Sequence, residues 1–217
     1  VFGEDASGVY GMSTLLKFLF ANGAGAVKAV AVGKDESEEK DYASAFAALS
    51  DEEDVGVMVC DSAAQSVHLL LKTAAEDASA ARRERIAVIG GSEETVAQMV
   101  NRAKAVNSER VVLVGPDIAS DDGGTMSAVF AAAAVAAVIA GNTDPSVPIN
   151  GAELPLFGAA GKRLSDNEID QLVRGGVTPI ETVGGVSSPV RGITTRTSSG
   201  GAADTTWREL TTILIVD

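Results

Sequence analysis

Residues 86–114 carry the sequence IAVIGGSEETVAQMVNRAKAVNSERVVLV. Two short apolar runs, 86–89 and 111–114, flank the segment 93–106, in which apolar side chains recur at helical spacing. This pattern predicts a strand, a helix and a second strand. Because both runs are apolar at every position, we expect their strands to lie in a parallel sheet that is covered on both faces.

The first 141 residues repeat this alternation of strand and helix. Asn22-Gly23 is the expected end of a first helix, and Asp41 is the expected N-cap of a second, after an acidic loop at 35–41. Ser62 and Gln65 predict a capping box at the start of a third helix. Besides this third helix, the predicted elements are helices at 11–21, 42–49, 93–106 and 126–140 and strands at 27–32, 55–60, 86–89 and 111–114.

The composition changes after Gly141, where five of the six prolines lie. Ser165 and Glu168 predict a capping box that opens a short helix, and Gly175-Gly176 is its expected end. Residues 178–183, 190–195 and 210–216 predict strands, with a polar loop at 197–205.

No long linker divides the chain, so we expect a single compact body. It consists of an alternating strand and helix part, 1–141, and an α+β part, 142–217, that completes the same sheet. The expected fold class is α/β, becoming α+β toward the C-terminus, with a mixed, largely parallel sheet and helices on both faces.

Charge and composition exclude several classes of function. The 217 residues include 30 acidic and 17 basic side chains, a formal net charge of −13, which disfavours binding to nucleic acid phosphates or to an anionic membrane. One cysteine, Cys60, cannot form an internal disulfide, and one histidine, His68, cannot build a multi-histidine metal site. The apolar run 126–140 is too short to span a bilayer and predicts a buried core helix, so we expect no membrane insertion.

The candidate catalytic and ligand sites are weak. The segment 90–94, GGSEE, follows a strand and opens a helix, but it lacks the lysine of a phosphate loop, and its acidic residues are expected to cap the helix. The segment 121–125 lacks the spaced oxygen ligands of a calcium loop. Cys60 and His68 are eight residues apart, about two helical turns, which disfavours a nucleophile and base pair. We therefore expect no enzyme, cofactor or metal.

Two segments of the chain resemble the sheath protein of contractile phage tails. Residues 15–32 are similar to the family's helix that ends in an Asn-Gly turn, here Asn22-Gly23, and leads into a strand. Residues 144–155 are similar to its proline-containing segment with an Asn-Gly pair, here Asn150-Gly151.

Two later segments extend the resemblance in the same order. Residues 164–180 resemble a short helix and a glycine turn, here Gly176-Val177, that lead into a strand. Residues 190–217 are the most specific match, with Gly192, Arg196 and the pair Trp207-Arg208. We expect these residues to be architectural. Arg196 and Arg208 would anchor the loop 197–205, and Trp207 would cover the edge of the core.

The resemblance implies a mechanical function. The full-length protein would assemble as stacked hexameric rings of identical subunits around a tail tube protein, and its contraction would drive the tube into the host envelope. It would be made in the bacterial host cytoplasm and would reside in the virion, in the tail sheath. The chain starts at Val1 and shows none of the family's arms, which add strands to neighbouring subunits, so we expect a piece of a longer protein that is monomeric or weakly associating alone.

Two alternatives remain open from the sequence. The first is a doubly wound enzyme or small-molecule binder with a pocket near Asp61, Gly90 and Gly115. The second is another phage tail structural protein, such as a tube or baseplate component. Thermal shifts with nucleotides and microscopy of the full-length protein distinguish these from a sheath.

Overall fold

The computed structural model describes residues 10–32, 38–120, 123–155 and 163–217. Its elements are numbered in chain order. They are α1 (Met12–Ala21), α2 (Glu38–Ala48), β1 (Val57–Met58), α3 (Gln65–Ala80), β2 (Ile86–Gly90), α4 (Val96–Val106), β3 (Val111–Gly115), β4 (Ile118–Ala119), β5 (Thr125–Met126), α5 (Ala128–Gly141), α6 (Asp166–Arg174), β6 (Val177–Val183), β7 (Val186–Pro189), β8 (Ser198–Ser199), β9 (Ala202–Ala203) and α7 (Leu210–Val216).

A five-stranded sheet in the order β1-β2-β3-β6-β7 forms the centre of the fold. The first four strands in that order are parallel, and β7 joins the edge antiparallel to β6. Val177, at the start of β6, is in register with Leu113 of β3, so the part of the chain after Gly141 adds its strands to the sheet built by the first part. The predicted α/β class and the mixed, largely parallel sheet are confirmed.

The two faces of the sheet are covered by different helices. Along β2, Ile86 and Val88 belong to the apolar cluster that contains α1 and α5, whereas Ala87 and Ile89 belong to the cluster that contains α3 and α4. Every residue of β2 and β3 is buried, which explains their uninterrupted apolar sequences. The prediction of helices on both faces is confirmed.

Helix α5 is buried on nearly all sides, as its apolar sequence predicts. Its alanines are small enough for the helix to pack closely over β2 and β3, and Ser127 caps its start by accepting a hydrogen bond from the Val129 N–H. The described residues contain no helix that is long and apolar enough to cross a membrane.

Three predicted strands are wrong. Residues 27–32 form no strand, because their side chains are exposed or half-buried and their backbone does not pair with the sheet. Residues 190–195 form only one bridge, between Ile193 and Glu209. Residues 210–216 form helix α7, because Leu210, Ile213 and Leu214 recur at the helical spacing and face the core.

Several predicted boundaries also need correction. The predicted strand at 55–60 shortens to β1, and the predicted loop 197–205 contains the small hairpin β8–β9. Asp41 lies inside α2, which already includes Glu38, and residues 35–37 of the predicted acidic loop lie outside the described residues. Ala64 is the N-cap of α3, so Ser62 makes no capping box there, although its Oγ accepts the Ala64 N–H.

Helix α4 begins three residues later than the sequence predicts. Its N-cap is Thr95, which forms a reciprocal capping box with Gln98. Glu93 therefore lies outside the helix, in the left-handed region at φ 55°, and does not cap the helix as expected. The capping box of Ser165 and Glu168 at the start of α6 is confirmed.

Candidate functional site

The Asn150-Gly151 turn is joined to Gly192 by direct hydrogen bonding. The Oδ1 atom of Asn150 accepts the Gly192 N–H at 2.8 Å, and the Gly151 N–H donates to the carbonyl oxygen of Pro189 at 2.8 Å. Gly151 has φ +72°, which favours glycine. A Cβ at Gly192 would lie only 2.6 Å from Cγ1 of Ile149. The structure therefore brings three of the family residues together, at the β7 edge.

Gly176 and Val177 form the entry to strand β6. Gly176 has φ +85°, and a Cβ there would lie 2.9 Å from Cγ2 of Thr197 and 3.1 Å from the Thr195 carbonyl oxygen. Val177 is fully buried. Only glycine allows the chain after Thr195 to pass this close to the start of β6.

Arg196 holds the loop 197–205 through ion pairs on both sides. Its Nη1 lies 3.4 Å from a Glu109 carboxylate oxygen, and its Nε lies 3.6 Å from Oδ2 of Asp204. Hydrogen bonds from Thr206 lower the pKa of Asp204 below its usual range, and Arg196 acts in the same direction. These ion pairs agree with the expected role of Arg196 at the loop, which stays a prediction.

Trp207 and Arg208 act through their backbone. The Trp207 carbonyl oxygen accepts the Thr194 hydroxyl at 2.7 Å, and the Arg208 carbonyl oxygen accepts the Thr194 N–H at 2.8 Å. The Trp207 side chain is 36% exposed and belongs to neither apolar cluster, and its expected place over the core edge stays a prediction. The Arg208 guanidinium lies 3.7 Å from Glu209, outside the loop that it was expected to anchor.

Asn22 and Gly23 lie apart from the other family residues, at the end of α1. The Asn22 side chain is buried, and its Nδ2 donates to the carbonyl oxygens of Phe18 at 2.8 Å and Pro155 at 3.2 Å. Gly23 has φ +103°, as the predicted helix-ending turn requires. Through Pro155, Asn22 ties α1 to the segment that contains Asn150.

Asn107 connects α4 to the segment after Thr195, a role that its sequence context did not lead us to expect. It ends α4 in the left-handed region, and its Oδ1 accepts the N–H groups of Thr197 and Ser198 at 3.0 and 3.1 Å. Its neighbour Ser108 exchanges two hydrogen bonds with the Thr195 hydroxyl, both at 3.0 Å. The available signal was an asparagine directly after a predicted helix, which is typical of a C-cap.

His68 is buried in a polar chain that was also not foreseen. Its Nε2 lies 2.9 Å from the Ser62 carbonyl oxygen, and its Nδ1 lies 3.1 Å from Nη1 of Arg102. Since a guanidinium can only donate, Nδ1 accepts and the ring is neutral, with its proton on Nε2. Arg102 in turn pairs with Glu94 at 2.8 Å. Burial lowers the pKa of His68 to about 4.

The same hydrogen bonds argue against a Cys60 and His68 catalytic pair. The Cys60 Sγ lies 3.7 Å from the Ser62 carbonyl oxygen, the atom that also faces Nε2 of His68. Nδ1, the ring nitrogen with the free lone pair, faces Arg102. Neither nitrogen is therefore directed at the thiol to remove its proton.

The carboxyl ends of the central strands are filled by protein. A Cβ at Gly90 would lie 2.1 Å from the Ala128 carbonyl oxygen, and one at Gly115 would lie 2.4 Å from Sδ of Met99. The pocket expected near Asp61, Gly90 and Gly115 is thus blocked at the two glycines. Within the described ranges, no group of three or more His, Cys, Asp or Glu side chains is placed to hold a metal ion. Of the segment 121–125, Asp121 and Asp122 lie outside those ranges.

The sequence matches the family model of the phage tail sheath protein central domain over residues 35–195, well over half of the chain. The chain belongs to the phage tail sheath protein family. Members of this family are structural proteins of the phage tail sheath. No curated protein matches the sheath chain closely.

Solved structures of a sheath tail protein and of two anti-feeding prophage assemblies contain chains that share the fold of this sheath chain. A sheath tail protein of Desulfitobacterium hafniense has a TM-score of 0.68 at 16% identity, over 88% of this chain and 45% of that one. A chain of the anti-feeding prophage baseplate has a TM-score of 0.72 at 13% identity, over 98% of this chain and 56% of that one. A chain of the anti-feeding prophage sheath in the contracted state has a TM-score of 0.61 at 11% identity, over 94% and 55%. This sheath chain therefore spans about half the length of these solved chains.

The matched region contains only some of the family residues that the sequence suggests. Asn150, Gly151, Gly176, Val177 and Gly192 fall inside residues 35–195 of the sheath chain. The remaining ones lie outside it, namely Asn22, Gly23, Arg196, Trp207 and Arg208.

Proposed function

We propose that this chain is the rigid body of a contractile tail sheath subunit. In the full-length protein, copies stack as hexameric rings around a tail tube protein, and contraction drives the tube into the host envelope. The observation that carries the proposal is the match of residues 35–195 to the sheath central domain. We propose the sheath of a phage tail or related injection particle as its location, after synthesis in the host cytoplasm.

The close packing at the ends of β2 and β3 supports a mechanical role. Ala128 packs against Gly90 and Met99 packs against Gly115, so a nucleotide or cofactor does not fit directly over these two glycines. The free energy for contraction then comes from the difference between subunit contacts in two packings. The net charge of −13 supports partners that are proteins and not nucleic acids or anionic membranes.

We further propose that residues 1–141 and 142–217 move as one body. The support is the parallel pairing of β3 with β6 and the hydrogen bonds of Asn107 and Ser108 to the segment that contains Thr195 and Thr197. A subunit that repositions as a unit needs such connections between its early and late segments. On its own, the 217-residue chain is expected to be monomeric or weakly associating, and a stable hexamer in size-exclusion chromatography contradicts that expectation.

Negative-stain microscopy of the purified full-length protein tests the proposed function. A sheath subunit is expected to form hollow tubules built of stacked rings. Discrete monomers under all salt conditions, or a solid tube of smaller diameter, contradict the proposal. Thermal-shift measurements with nucleotides and common cofactors provide a second check, and we expect no stabilisation by any of them.

A further inference from the structure

The Asn150-Gly151 turn has the chemistry of a site that loses its side-chain amide. Asparagine is a thermolabile residue, and a following glycine has no side chain to hinder attack by its backbone nitrogen on the asparagine Cγ. Asn150 and Gly151 are both exposed, and a Cβ at Gly151 would meet no atom within 4 Å. Within the described residues, Nδ2 of Asn150 has no hydrogen-bond partner, so no protein contact retains the group that would leave as ammonia.

The Asn22-Gly23 turn places the same dipeptide in the opposite environment. Asn22 is only 8% exposed, and its Nδ2 donates to the carbonyl oxygens of Phe18 at 2.8 Å and Pro155 at 3.2 Å. A carboxylate in its place would be buried against two carbonyl oxygens that have no proton to donate to it. The chain therefore contains one reactive sequence twice, once exposed and once enclosed.

We propose that Asn150 is a site of spontaneous deamidation in the native protein and that Asn22 resists the same reaction. The Gly151 backbone nitrogen loses its proton to hydroxide and bonds to Cγ of Asn150. The bond between Cγ and Nδ2 breaks, and Nδ2 takes a proton from water and leaves as ammonia. Water then opens the succinimide ring, giving aspartate when the bond from Gly151 N to Cγ is cleaved and isoaspartate when the bond to the Asn150 carbonyl carbon is cleaved. The net reaction consumes only water and does not depend on the proposed function.

Two native hydrogen bonds control the reaction at Asn150. The Gly151 N–H donates to the Pro189 carbonyl oxygen at 2.8 Å, and Oδ1 of Asn150 accepts the Gly192 N–H at 2.8 Å. The Gly151 nitrogen must leave Pro189 before it attacks Cγ, so the reaction proceeds through local opening of the turn. We expect Asn150 to react about tenfold faster than Asn22, because opening an exposed turn costs less free energy than withdrawing a buried side chain.

The two products differ in their effect on the edge of the sheet. Residues 151–154 cover the outer edge of β7, where Gly151 N–H donates to Pro189 and Leu154 N–H donates to the Ser187 carbonyl oxygen at 2.9 Å. Aspartate retains an oxygen for the Gly192 N–H. Isoaspartate inserts an extra carbon atom into the main chain of the turn, which displaces these bonds and uncovers backbone groups of β7. Unpaired groups at a strand edge are a template for pairing with another chain.

Peptide mass spectrometry of the full-length protein tests the proposal. Native and denatured samples are kept in mildly alkaline buffer, and conversion of each asparagine is followed over time, with isoaspartate detected by enzymatic methylation. In the native protein we expect conversion at Asn22 to be about a tenth of that at Asn150, and in denaturant we expect similar rates at the two sites. Asn150→Gln is expected to show no conversion at residue 150, since its side chain would have to close a larger ring. Equal native rates at the two sites, or faster conversion at another asparagine, overturn the proposal.

Hydrogen exchange of the aged protein measures the effect on β7. We expect the N–H groups of Gly151 and Leu154 to exchange about tenfold faster in molecules with isoaspartate at position 150 than in the parent protein. Asn150→Asp is the matched control, because it carries the same added charge on a normal main chain, and its exchange is expected to stay close to that of the parent. Equal exchange in the isoaspartate form and in Asn150→Asp overturns the proposed uncovering of β7.

Discussion

Single side chains connect the last third of the chain to its earlier part. Asn150 accepts a hydrogen bond from the backbone of Gly192, Asn22 donates to the backbone of Pro155, and Asn107 holds the backbone of Thr197. In each case a side-chain amide binds a backbone group that lies outside the helices and strands of the described chain. Such groups are costly to leave unpaired when water is excluded, which explains why asparagine recurs at these junctions.

We expect Asn150→Ala to lower the free energy of unfolding by about 1 kcal/mol, because it leaves the Gly192 N–H without its acceptor. Asn150→Asp retains an oxygen at the same position and is expected to keep most of the stability. Urea unfolding of the two variants and the parent chain measures the difference. Equal losses for alanine and aspartate would show that the hydrogen bond is not the stabilising feature.

The buried His68 predicts a loss of stability in mild acid. The pKa of His68 is about 4 in the folded chain and about 6.5 in an unfolded one. Between pH 6.5 and pH 4 the unfolded state therefore binds a proton at His68 and the folded state does not. The contribution of His68 to the free energy of unfolding is fully present above pH 6.5 and decreases as the pH falls toward 4. Below pH 4 it changes no further, and the total loss is about 3 kcal/mol. Arg102, which faces the ring, adds to the cost of a positive charge there.

Comparison with His68→Gln isolates this effect from the titration of the carboxylates. The glutamine amide can still donate toward the Ser62 carbonyl oxygen but does not titrate. Urea unfolding between pH 7.5 and 4.5 is expected to show a steeper loss of stability for the parent chain than for the variant. Parallel pH profiles would indicate that His68 takes up its proton equally well in the folded state.

At the scale of elements, α7 offers a direct choice between helix and strand. In the helix, Ile213 is buried and Ile215 is 58% exposed. In a strand the two side chains would point to the same face, since residues two apart share a face. Their relative contributions to stability therefore report which element residues 210–216 form.

We expect Ile213→Ala to destabilise the chain by about 2 to 4 kcal/mol, because it leaves a cavity in the core. Ile215→Ala, the matched change on the exposed side, is expected to alter stability by less than about 0.5 kcal/mol. Thermal or urea unfolding measures both variants. Similar large losses in the two variants would contradict the helix and support the strand that the sequence first suggested.

Elements with a strong local signal were predictable from the sequence. The uninterrupted apolar runs of β2 and β3 and the capping box of α6 agree with the structure, as does the apolar sequence of α5. The failures occurred where a short β-branched run carries no such signal. Residues 210–216 are rich in Thr, Ile and Val, but three apolar side chains at helical spacing face the core, and tertiary packing overrides their strand propensity.

The sequence predicted which residues form turns and junctions better than it predicted which residues they contact. The glycines with positive φ and the turn at Asn150 follow from local chemistry. The partners do not, because Asn107 and Thr197 are 90 residues apart and only the assembled sheet brings them together. For Trp207 the residue type was a poor guide. A large apolar ring predicts burial, but the ring is 36% exposed and the backbone carbonyl of Trp207 accepts a hydrogen bond from Thr194.

At the scale of the whole molecule, the net charge of −13 on these 217 residues favours repulsion between copies. Raising the salt concentration from about 0.01 M to about 0.1 M shortens the screening length from about 30 Å to about 10 Å, which weakens repulsion between subunits. We therefore expect the full-length protein to assemble at lower concentration as salt increases. Light scattering across a salt series measures this, and assembly that is indifferent to ionic strength would contradict the role given to the acidic surface.

The central claim is that this chain is a rigid sheath body that changes its neighbours and not its fold. Cryo-electron microscopy of the particle that contains the full-length protein, before and after contraction in a buffer without nucleotide, tests it most directly. We predict that the chain surrounds the tube in both states, with the β1-β2-β3-β6-β7 sheet unchanged and the contacts between subunits rearranged. A chain found inside the tube or only in the baseplate, or a sheet that refolds on contraction, would contradict the account.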